Sequence, residues 1–155
     1  MKIAVYSHYF TPEIGAPSAR IHDLSKNWIQ SGHVVDVITC FPNHPTGRMY
    51  PGYTAGWYMK ESLDDICVHR HRTYITPNSG IVKKTLGHIS YLPSALMLSN
   101  RRVGKPDVVI GTSPTLFAAI AAAFTGMQRK RRLSWISGIC GQLSLWNWVS
   151  CVTRN

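Results

Sequence analysis

The first twenty residues, MKIAVYSHYFTPEIGAPSAR, constrain the fold more than any other stretch of the chain. Lys2 to Tyr6 is a short apolar run rich in strand-forming residues, which is typical of a buried strand. A loop with two prolines and Gly15 follows, and an amphipathic helix begins at Ala16 or Pro17. In open α/β sheets, such a turn lies at the carboxyl edge, where backbone amides and a helix N-terminus can hold an anion. The stretch therefore predicts an α/β sheet with a ligand site at this edge.

The rest of the chain continues the alternation of strands and helices. The first helix places Ile21, Leu24, Trp28 and Ile29 on one face, and Gly32 ends it at the position where a left-handed residue is favoured. The further predicted elements are a strand His33–Thr39, an irregular or edge segment at 56–66, an edge strand Cys67–Ile75, a turn Thr76–Gly80, a helix Ile81–Arg102 kinked at Pro93, a strand Pro106–Thr112, and a helix Thr115–Gly126 capped by Ser113 and Pro114. This order predicts one half of a doubly wound, mostly parallel, Rossmann-like sheet.

Length and composition exclude several classes of protein. A chain of 155 residues with 45% hydrophobic content predicts a single domain. No signal peptide is visible, and the longest apolar run, Leu116–Phe124, is far shorter than the roughly 20 residues of a membrane span. We therefore expect a soluble, cytoplasmic protein. The four cysteines are far apart, with no C-x-x-C and no nearby His pair, so the sequence indicates neither a zinc site nor a disulfide framework; they are Cys40, Cys67, Cys140 and Cys151.

The formal net charge of +10 leaves two alternatives to a small-molecule site. The run Arg129–Arg132 is the only dense basic run, and it favours a solvated helix end over a nucleic-acid-binding patch. The helix Ile81–Arg102 has an apolar stripe flanked by lysines and arginines. That pattern fits core packing under a solvated rim, and it also fits a helix lying on an anionic membrane surface.

Common nucleotide-binding and nucleophile motifs are absent. The first turn has Gly15 alone instead of Gly-x-Gly-x-x-Gly, and the second strand ends without the acid that would bind a ribose hydroxyl. No P-loop and no G-x-S-x-G elbow occurs. The loop Phe41–Ala55 is long and contains three prolines and two glycines, and loops of this length inside a compact domain are typical of binding sites.

Three segments together carry a family resemblance. YSHYFTPEIGAPSAR, then GHVVDVITCFPNHPTG with MYPGY, then KPDVVIGTSPTLF resemble the N-terminal domain of family-4 glycosyltransferases of the two-domain GT-B type. The nearest kin are bacterial enzymes of surface-polysaccharide and O-antigen synthesis, including those that act on polyprenyl-diphosphate-linked sugars. The resemblance covers residues 1–133, and it implies a nucleotide-sugar donor, retention of configuration, no metal or other cofactor, and a glycan or polyprenyl-linked acceptor.

The resemblance also implies roles for five residues. Gly15 would let the backbone approach the donor diphosphate or the transferred sugar, Glu13 would shape that loop, and Arg20 would face the cleft. Asn43 and His44 would meet the acceptor sugar. From the residues alone, Glu13 also fits a solvent-facing acid beside a helix N-terminus, and Asn43 and His44 also fit turn residues between two prolines. The resemblance assigns no catalytic residue to this half of the enzyme.

The sequence departs from the family after Leu133. A fifth parallel strand ending in R-D-L-W-P is expected there, but residues 134–155 are rich in tryptophan, lack acids and show no periodicity. In a frame one base earlier, Trp135 and Ile136 must give Asp, and Trp146–Val149 must give Glu-Leu-Gly. We hypothesise a frameshift near Arg132–Ser134 that leaves a non-native tail. We expect it to remove the fifth strand, to leave the fourth strand with an unpaired edge, and to leave the chain inactive alone.

Overall fold

The computed structural model describes residues 1–54, 56–75, 90, 93, 102–112, 116–129 and 132–136. Six strands and two helices lie in this part of the chain. In chain order they are β1 (Lys2–Tyr6), α1 (Ala16–Gln30), β2 (Val34–Cys40), β3 (Tyr58–Leu63), β4 (Ile66–His71), β5 (Val108–Thr112), α2 (Leu116–Arg129) and β6 (Arg132–Ile136).

The strands form one sheet in the order β3-β4-β2-β1-β5-β6. Every neighbouring pair is parallel except β3 with β4. The chain moves from β1 to β2 and β4 on one side, then returns to β5 and β6 on the other side of β1. This reversal is a topological switch point, and it lies between β1 and β5. The doubly wound, mostly parallel sheet predicted from the sequence is confirmed.

Both faces of the sheet are covered, which explains the nearly continuous apolar strands. Alternate residues of a strand point to opposite faces. Ile3 and Val5 of β1 pack with Ile21 of α1, whereas Ala4 and Tyr6 pack with small residues of α2. At Gly111 of β5, an added Cβ would lie 3.0 Å from the Ala122 Cβ, so helix and strand approach closely there.

The first helix ends as the sequence predicts. Gly32 has φ of 80°, a left-handed conformation that glycine adopts without a steric penalty. The amide of Gly32 donates to the carbonyl of Ile29, and the amide of His33 donates to the carbonyl of Trp28. These two bonds form a Schellman motif, which satisfies carbonyls that the helix end would otherwise leave without partners.

The strand predicted at Cys67–Ile75 is not at the edge of the sheet. β4 ends at His71 and lies between β3 and β2, and the basic side chains of His69, Arg70 and His71 are buried. Residues 58–63 form the antiparallel edge strand β3, which pairs with β4 through a two-residue turn. Asp64 and Asp65 have φ of 50° and 63°, the conformation that tight hairpins require. The hairpin moves β4 into the interior of the sheet.

The expectation of a missing fifth strand is wrong. β6 runs to Ile136 and pairs in parallel with the whole of β5, from Val108 opposite Arg132 to Thr112 opposite Ile136. Backbone hydrogen bonding between strands requires little of the sequence beyond residues that favour strands. The segment RLSWI contains three large apolar residues, Leu133, Trp135 and Ile136. β5 therefore has neighbours on both sides. The frameshift hypothesis and the domain limit at residue 133 remain predictions.

Several sequence predictions lie outside the described residues. These are the turn at residues 76–80, the capping residues at 113 and 114, the tail beyond residue 136, and the helix at 81–102 apart from Ser90, Pro93 and Arg102. Neither α1 nor α2, the helices of the described part, has the length and apolar character needed to cross a bilayer.

Candidate functional site

Two loops meet at the carboxyl edge of the sheet. The first joins β1 to α1 and contains the PEIGAP segment; the second follows β2 and contains the FPNHP segment. β1 and β2 are neighbours in parallel register, and the amide of Ser7 continues their ladder by donating to the carbonyl of Ile38 at 3.0 Å. Parallel strands end at the same edge, so both loops emerge side by side.

The carboxylate of Glu13 joins the two loops. Its Oε1 accepts hydrogen bonds from the amides of Asn43 and His44, both at 2.8 Å, and its Oε2 accepts one from the amide of Phe10 at 3.2 Å. The residue is only 5% exposed. Glu13 therefore shapes its own loop, as the resemblance implies, and the alternative of a solvent-facing acid is wrong.

Burial raises the pKa of the Glu13 carboxyl above its ordinary value of 4.5. The three backbone donors and the more distant Arg70 guanidinium oppose this shift, but they do not cancel it. Since protein amides occupy both carboxylate oxygens, Glu13 is placed to position the loops rather than to react with a ligand.

Arg70 supports the same edge from beneath, and sequence reasoning missed it. Its side chain is fully buried at the end of β4 and forms an ion pair with Glu61. The guanidinium also donates to the carbonyls of Thr11 and Cys40 and to the hydroxyl of Tyr53. It thus ties the first loop to the end of β2 and to the segment before β3. The only signal in the sequence is an arginine and an acid on the two strands of the hairpin, and the composition of ICVHRH does not distinguish a buried pair from an exposed one.

Asn43 and His44 lie at the contact between the loops, and both are partly buried. The side chain of Asn43 donates to the carbonyl of Phe41 at 2.8 Å, and its own carbonyl accepts from the amide of Gly47 at 2.7 Å. The carbonyl of His44 accepts from the hydroxyl of Tyr50 at 2.8 Å. These residues therefore stabilise a turn, as the alternative interpretation has it, at the edge where the resemblance places them.

Tyr9 is a second residue that sequence reasoning did not single out. Its ring lies 4.8 Å from the ring of His44 and 4.9 Å from that of His8, so three aromatic rings line the junction of the loops. Burial, together with the nearby Cys40 and Glu13, raises the pKa of the Tyr9 phenol to about 12. The phenol therefore stays protonated at neutral pH and can both donate and accept a hydrogen bond.

Gly15 and Arg20 lie on the other side of the first loop. Gly15 is the exposed N-cap of α1, in an extended conformation, and an added Cβ would meet only Pro17 Cδ at 3.7 Å. Its conformation alone does not require glycine. No side chain caps α1, and its first turn has no acid. Pro17 has no N–H, so the first-turn amides that remain available to an anion are those of Ala16 and Ser18. Arg20 is half-buried in the second turn.

Potential metal ligands converge away from these loops. Within the described ranges, the one group of three such side chains is Asp36, Cys67 and His69. Asp36 and Cys67 lie toward the amino ends of β2 and β4. Of the four cysteines considered in the sequence, Cys40 and Cys67 are free thiols, and the other two lie outside the described residues.

The chain is similar to a bacterial protein over most of its length. No family model matches the chain. Over 120 residues it is 32% identical to the Escherichia coli (strain K12) protein named "Putative colanic acid biosynthesis glycosyl transferase WcaI". The alignment covers 77% of this chain but only 29% of that protein. This similarity supports a glycosyltransferase relationship for the chain.

Proposed function

From its similarity to a glycosyltransferase over most of its length, we propose that the chain is the acceptor-side N-terminal domain of a retaining, family-4, GT-B enzyme. The parent enzyme takes its sugar from a nucleotide-sugar donor and transfers it to a glycan or a polyprenyl-diphosphate-linked acceptor. The relative's name refers to colanic acid biosynthesis, and we extend to this chain the same general task, assembly of a bacterial surface polysaccharide. The proposal places the enzyme in the cytoplasm, without a metal cofactor.

The observation that best supports this proposal is the Glu13 carboxylate joining the two loops. Ligands of open α/β sheets bind outside the carboxyl ends of the strands, beside the switch point. The Glu13 bonds to Asn43 and His44 hold the second loop against the first at that edge. Burying a carboxylate costs free energy because the group loses its water. Since the Glu13 carboxylate is nevertheless buried between the two loops, we infer that holding the loops together there has a function, which we propose is ligand binding.

We assign the residues to two parts of the ligand site. The uncapped amides of α1, with Gly15 as the point of close approach and Arg20 in the next turn, would face the diphosphate or the transferred sugar. Asn43 and His44 would contact the acceptor sugar, with the Tyr9 ring beside them. Glu13 acts as a positioning residue for both parts.

The chain alone is expected to be inactive. In a two-domain transferase, the reaction takes place between the halves, where closure excludes water and aligns donor with acceptor. The purified chain should therefore show no transfer with nucleotide sugars and lipid-linked acceptors. Turnover by the purified chain would contradict this part of the proposal. Sequencing the DNA after codon 155 would test the frameshift, since a shifted open frame encoding a second α/β domain is the expected result.

Acceptor binding can be tested on the chain itself. We expect a short-chain, water-soluble prenyl-diphosphate sugar to slow amide hydrogen exchange in residues 41–50 and in the first turn of α1. Asn43→Ala and His44→Ala should weaken this protection, whereas Asn27→Ala, on the exposed side of α1, should leave it unchanged. Protection elsewhere, or none at millimolar ligand, would overturn the acceptor-side assignment. A parallel titration with a nucleoside diphosphate separates recognition of the diphosphate from recognition of the sugar.

A further inference from the structure

Strand register brings three different ligating side chains together at the amino side of the sheet. Asp36 of β2 is the register partner of Cys67 of β4, and neighbouring residues in register point to the same face. Cys67 and His69 are two residues apart on β4, so they share that face as well. A carboxylate, a thiol and an imidazole therefore converge, and they are termed here the amino-edge cluster.

The separations within the amino-edge cluster suit a shared small cation. Asp36 Oδ1 lies 3.0 Å from His69 Nε2, Cys67 Sγ lies 3.4 Å from the same nitrogen, and all three atoms lie within 4.8 Å of one another. Tetrahedral Zn²⁺ separates its oxygen and nitrogen ligands by about 3.3 Å and its sulfur and nitrogen ligands by about 3.6 Å. An ion would need to draw the carboxylate and the thiolate together by at most about 1.2 Å to reach that geometry.

Neighbouring groups orient the ligands of the amino-edge cluster. The hydroxyl of Tyr58 is hydrogen-bonded to His69 Nδ1 at 2.8 Å, so the imidazole presents Nε2 to the cluster. A hydrogen bond on the remote nitrogen is the usual support of a metal-binding histidine. The ammonium of Lys2 lies 3.1 Å from Asp36 Oδ2, which turns Oδ1 toward His69.

Burial and donor chemistry select the class of ion. Asp36 and His69 are buried, whereas Cys67 is only partly buried and leaves a path from solvent. A thiolate, an imidazole and a carboxylate form a donor set typical of Zn²⁺, whereas Mg²⁺ and Ca²⁺ take oxygen ligands. The ammonium of Lys2 beside Asp36 and that of Lys60 beside Cys67 offset the negative charge of this set, so the donor atoms rather than excess charge would hold the ion.

We propose that the amino-edge cluster binds one Zn²⁺ through Asp36 Oδ1, Cys67 Sγ and His69 Nε2, with water as the fourth ligand. On binding, the Cys67 thiol loses its proton to solvent, and the ring proton that His69 Nε2 donates to Asp36 in the ion-free chain is exchanged through solvent for one on Nδ1. The Nδ1–H then donates a hydrogen bond to the Tyr58 hydroxyl oxygen. The ion links β2 to β4 and stabilises the folded chain, because the unfolded chain lacks the assembled site. The site lies away from the loops of the proposed transferase and does not depend on that function.

Cobalt provides a direct spectroscopic test, because a thiolate ligand gives Co²⁺ a strong charge-transfer band in the near ultraviolet. The tag-free full chain carrying Cys140→Ser and Cys151→Ser keeps only Cys40 and Cys67 as thiols. We expect one equivalent of Co²⁺ to produce this band together with intense tetrahedral visible bands, and one equivalent of Zn²⁺ to abolish both. Zn²⁺ should also raise the melting temperature.

Two serine variants in that background assign the sulfur. Cys67→Ser should lose the charge-transfer band and the rise in melting temperature, whereas Cys40→Ser, whose buried side chain lies outside the cluster, should keep both. His69→Gln should weaken Co²⁺ binding by at least tenfold, which gives a second test if Cys67→Ser does not fold. A folded parent chain without the band, or a band that persists in folded Cys67→Ser, would overturn the proposal.

Discussion

Two buried carboxylates, Glu13 at the carboxyl edge and Asp36 toward the amino edge, differ in the sign of their pKa shifts. Burial is the largest single influence on each and disfavours the charged form. At Glu13 the partners are mainly neutral backbone amides, and the pKa is raised. At Asp36, hydrogen bonds from His69 and Lys2, with the positive charge of Lys2, outweigh burial and lower the pKa below 3.8.

The difference shows how each edge is held together. Backbone donors fix the path of the chain, so the Glu13 carboxylate holds loops in a defined shape while remaining easy to protonate. Charged and titratable side chains fix neighbouring strands, so the Asp36 carboxylate remains ionised and ties β1, through Lys2, and β4, through His69, to β2. At the carboxyl edge, backbone hydrogen bonds to Glu13 and the buried Arg70 beneath it both hold the loops, whereas at the amino edge the contacts of Asp36 with Lys2 and His69 hold the strands.

The substitution expected to lower the unfolding free energy most, Arg70→Leu, tests whether the carboxyl edge also depends on a charged group. Arg70→Leu removes the buried guanidinium that pairs with Glu61. It also leaves the carbonyls of Thr11 and Cys40 and the hydroxyl of Tyr53 without this donor. Removing one partner of a buried ion pair costs about 3–5 kcal/mol, and because the Glu61 carboxylate left behind is 21% exposed, we expect a loss near the lower end of that range in urea unfolding. Arg72→Leu is the matched control, since Arg72 is exposed and lies over the Trp57 ring at 4.4 Å. It should cost at most about 1 kcal/mol. Equal losses would show that the carboxyl edge does not need a buried charge.

A smaller effect is expected when the backbone donors at Glu13 lose their acceptor. Glu13→Ala leaves the amides of Phe10, Asn43 and His44 without this partner, and such a loss costs about 1–3 kcal/mol of unfolding free energy. Hydrogen exchange should accelerate at these amides. Glu13→Gln, which keeps one carbonyl oxygen, should lose less stability, and the exposed Asp23→Asn should change it by less than about 0.5 kcal/mol. Unchanged exchange at Asn43 and His44 in Glu13→Ala would exclude the bridging role.

The pH dependence of stability follows from the raised pKa of Glu13. The folded state binds this proton more tightly than the unfolded state, so the contribution of Glu13 is most favourable below pH 4.5 and declines as pH rises through the folded pKa. The stability of the wild type relative to Glu13→Gln should therefore fall between pH 4 and neutral pH, measured by urea unfolding across that range. A stability difference between wild type and Glu13→Gln that grows with pH would show that folding lowers the pKa of Glu13, as it lowers that of Asp36.

The smallest effect is expected at Gly15. An added Cβ at Gly15 meets only Pro17 Cδ, so steric strain is not expected. Gly15→Ala should therefore cost at most about 1 kcal/mol of stability, because alanine is less favourable than glycine at an N-cap. Its effect on protection by the diphosphate ligand should be much larger if the backbone approaches that ligand here. Gly111→Ala is the opposite case, since its Cβ would lie 3.0 Å from the Ala122 Cβ and 3.2 Å from the Ala119 Cα. The helix α2 must then shift by a few tenths of an ångström, at an expected cost of about 1–3 kcal/mol. Unimpaired diphosphate protection in Gly15→Ala would remove Gly15 from the proposed site.

Local patterns were sufficient for the elements whose neighbours lie close in sequence. The period of α1, the glycine at its end, and the apolar runs of β1, β2 and β5 each depend on contacts within one element or on burial on both faces. The same patterns placed Gly15, Asn43 and His44 in loops at the carboxyl ends of β1 and β2. Parallel strands bring such loops to one edge, so this part of the candidate site was predictable.

Polar residues inside β4 were misinterpreted for an identifiable reason. His69, Arg70 and His71 indicate an exposed strand by composition, because charged side chains are seldom buried without partners. Two of their partners are distant in sequence, Asp36 for His69 and Thr11 for Arg70, and a third, Glu61, reaches Arg70 only when the hairpin forms. The interior position of β4 depends on the hairpin with β3, and no periodicity in β4 itself encodes it.

Periodicity and turn chemistry are local, so the sequence predicts the sheet class, most of the strands and helices, and the edge at which we propose a ligand site. Contacts that form only in the folded chain join two loops through Glu13, bury Arg70 beneath them, pair β6 with β5, and bring Asp36, Cys67 and His69 together. Each of these depends on contacts between residues that are 24 to 59 positions apart in the sequence. Hydrogen bonding and burial choose the register of the strands only when the whole sheet assembles.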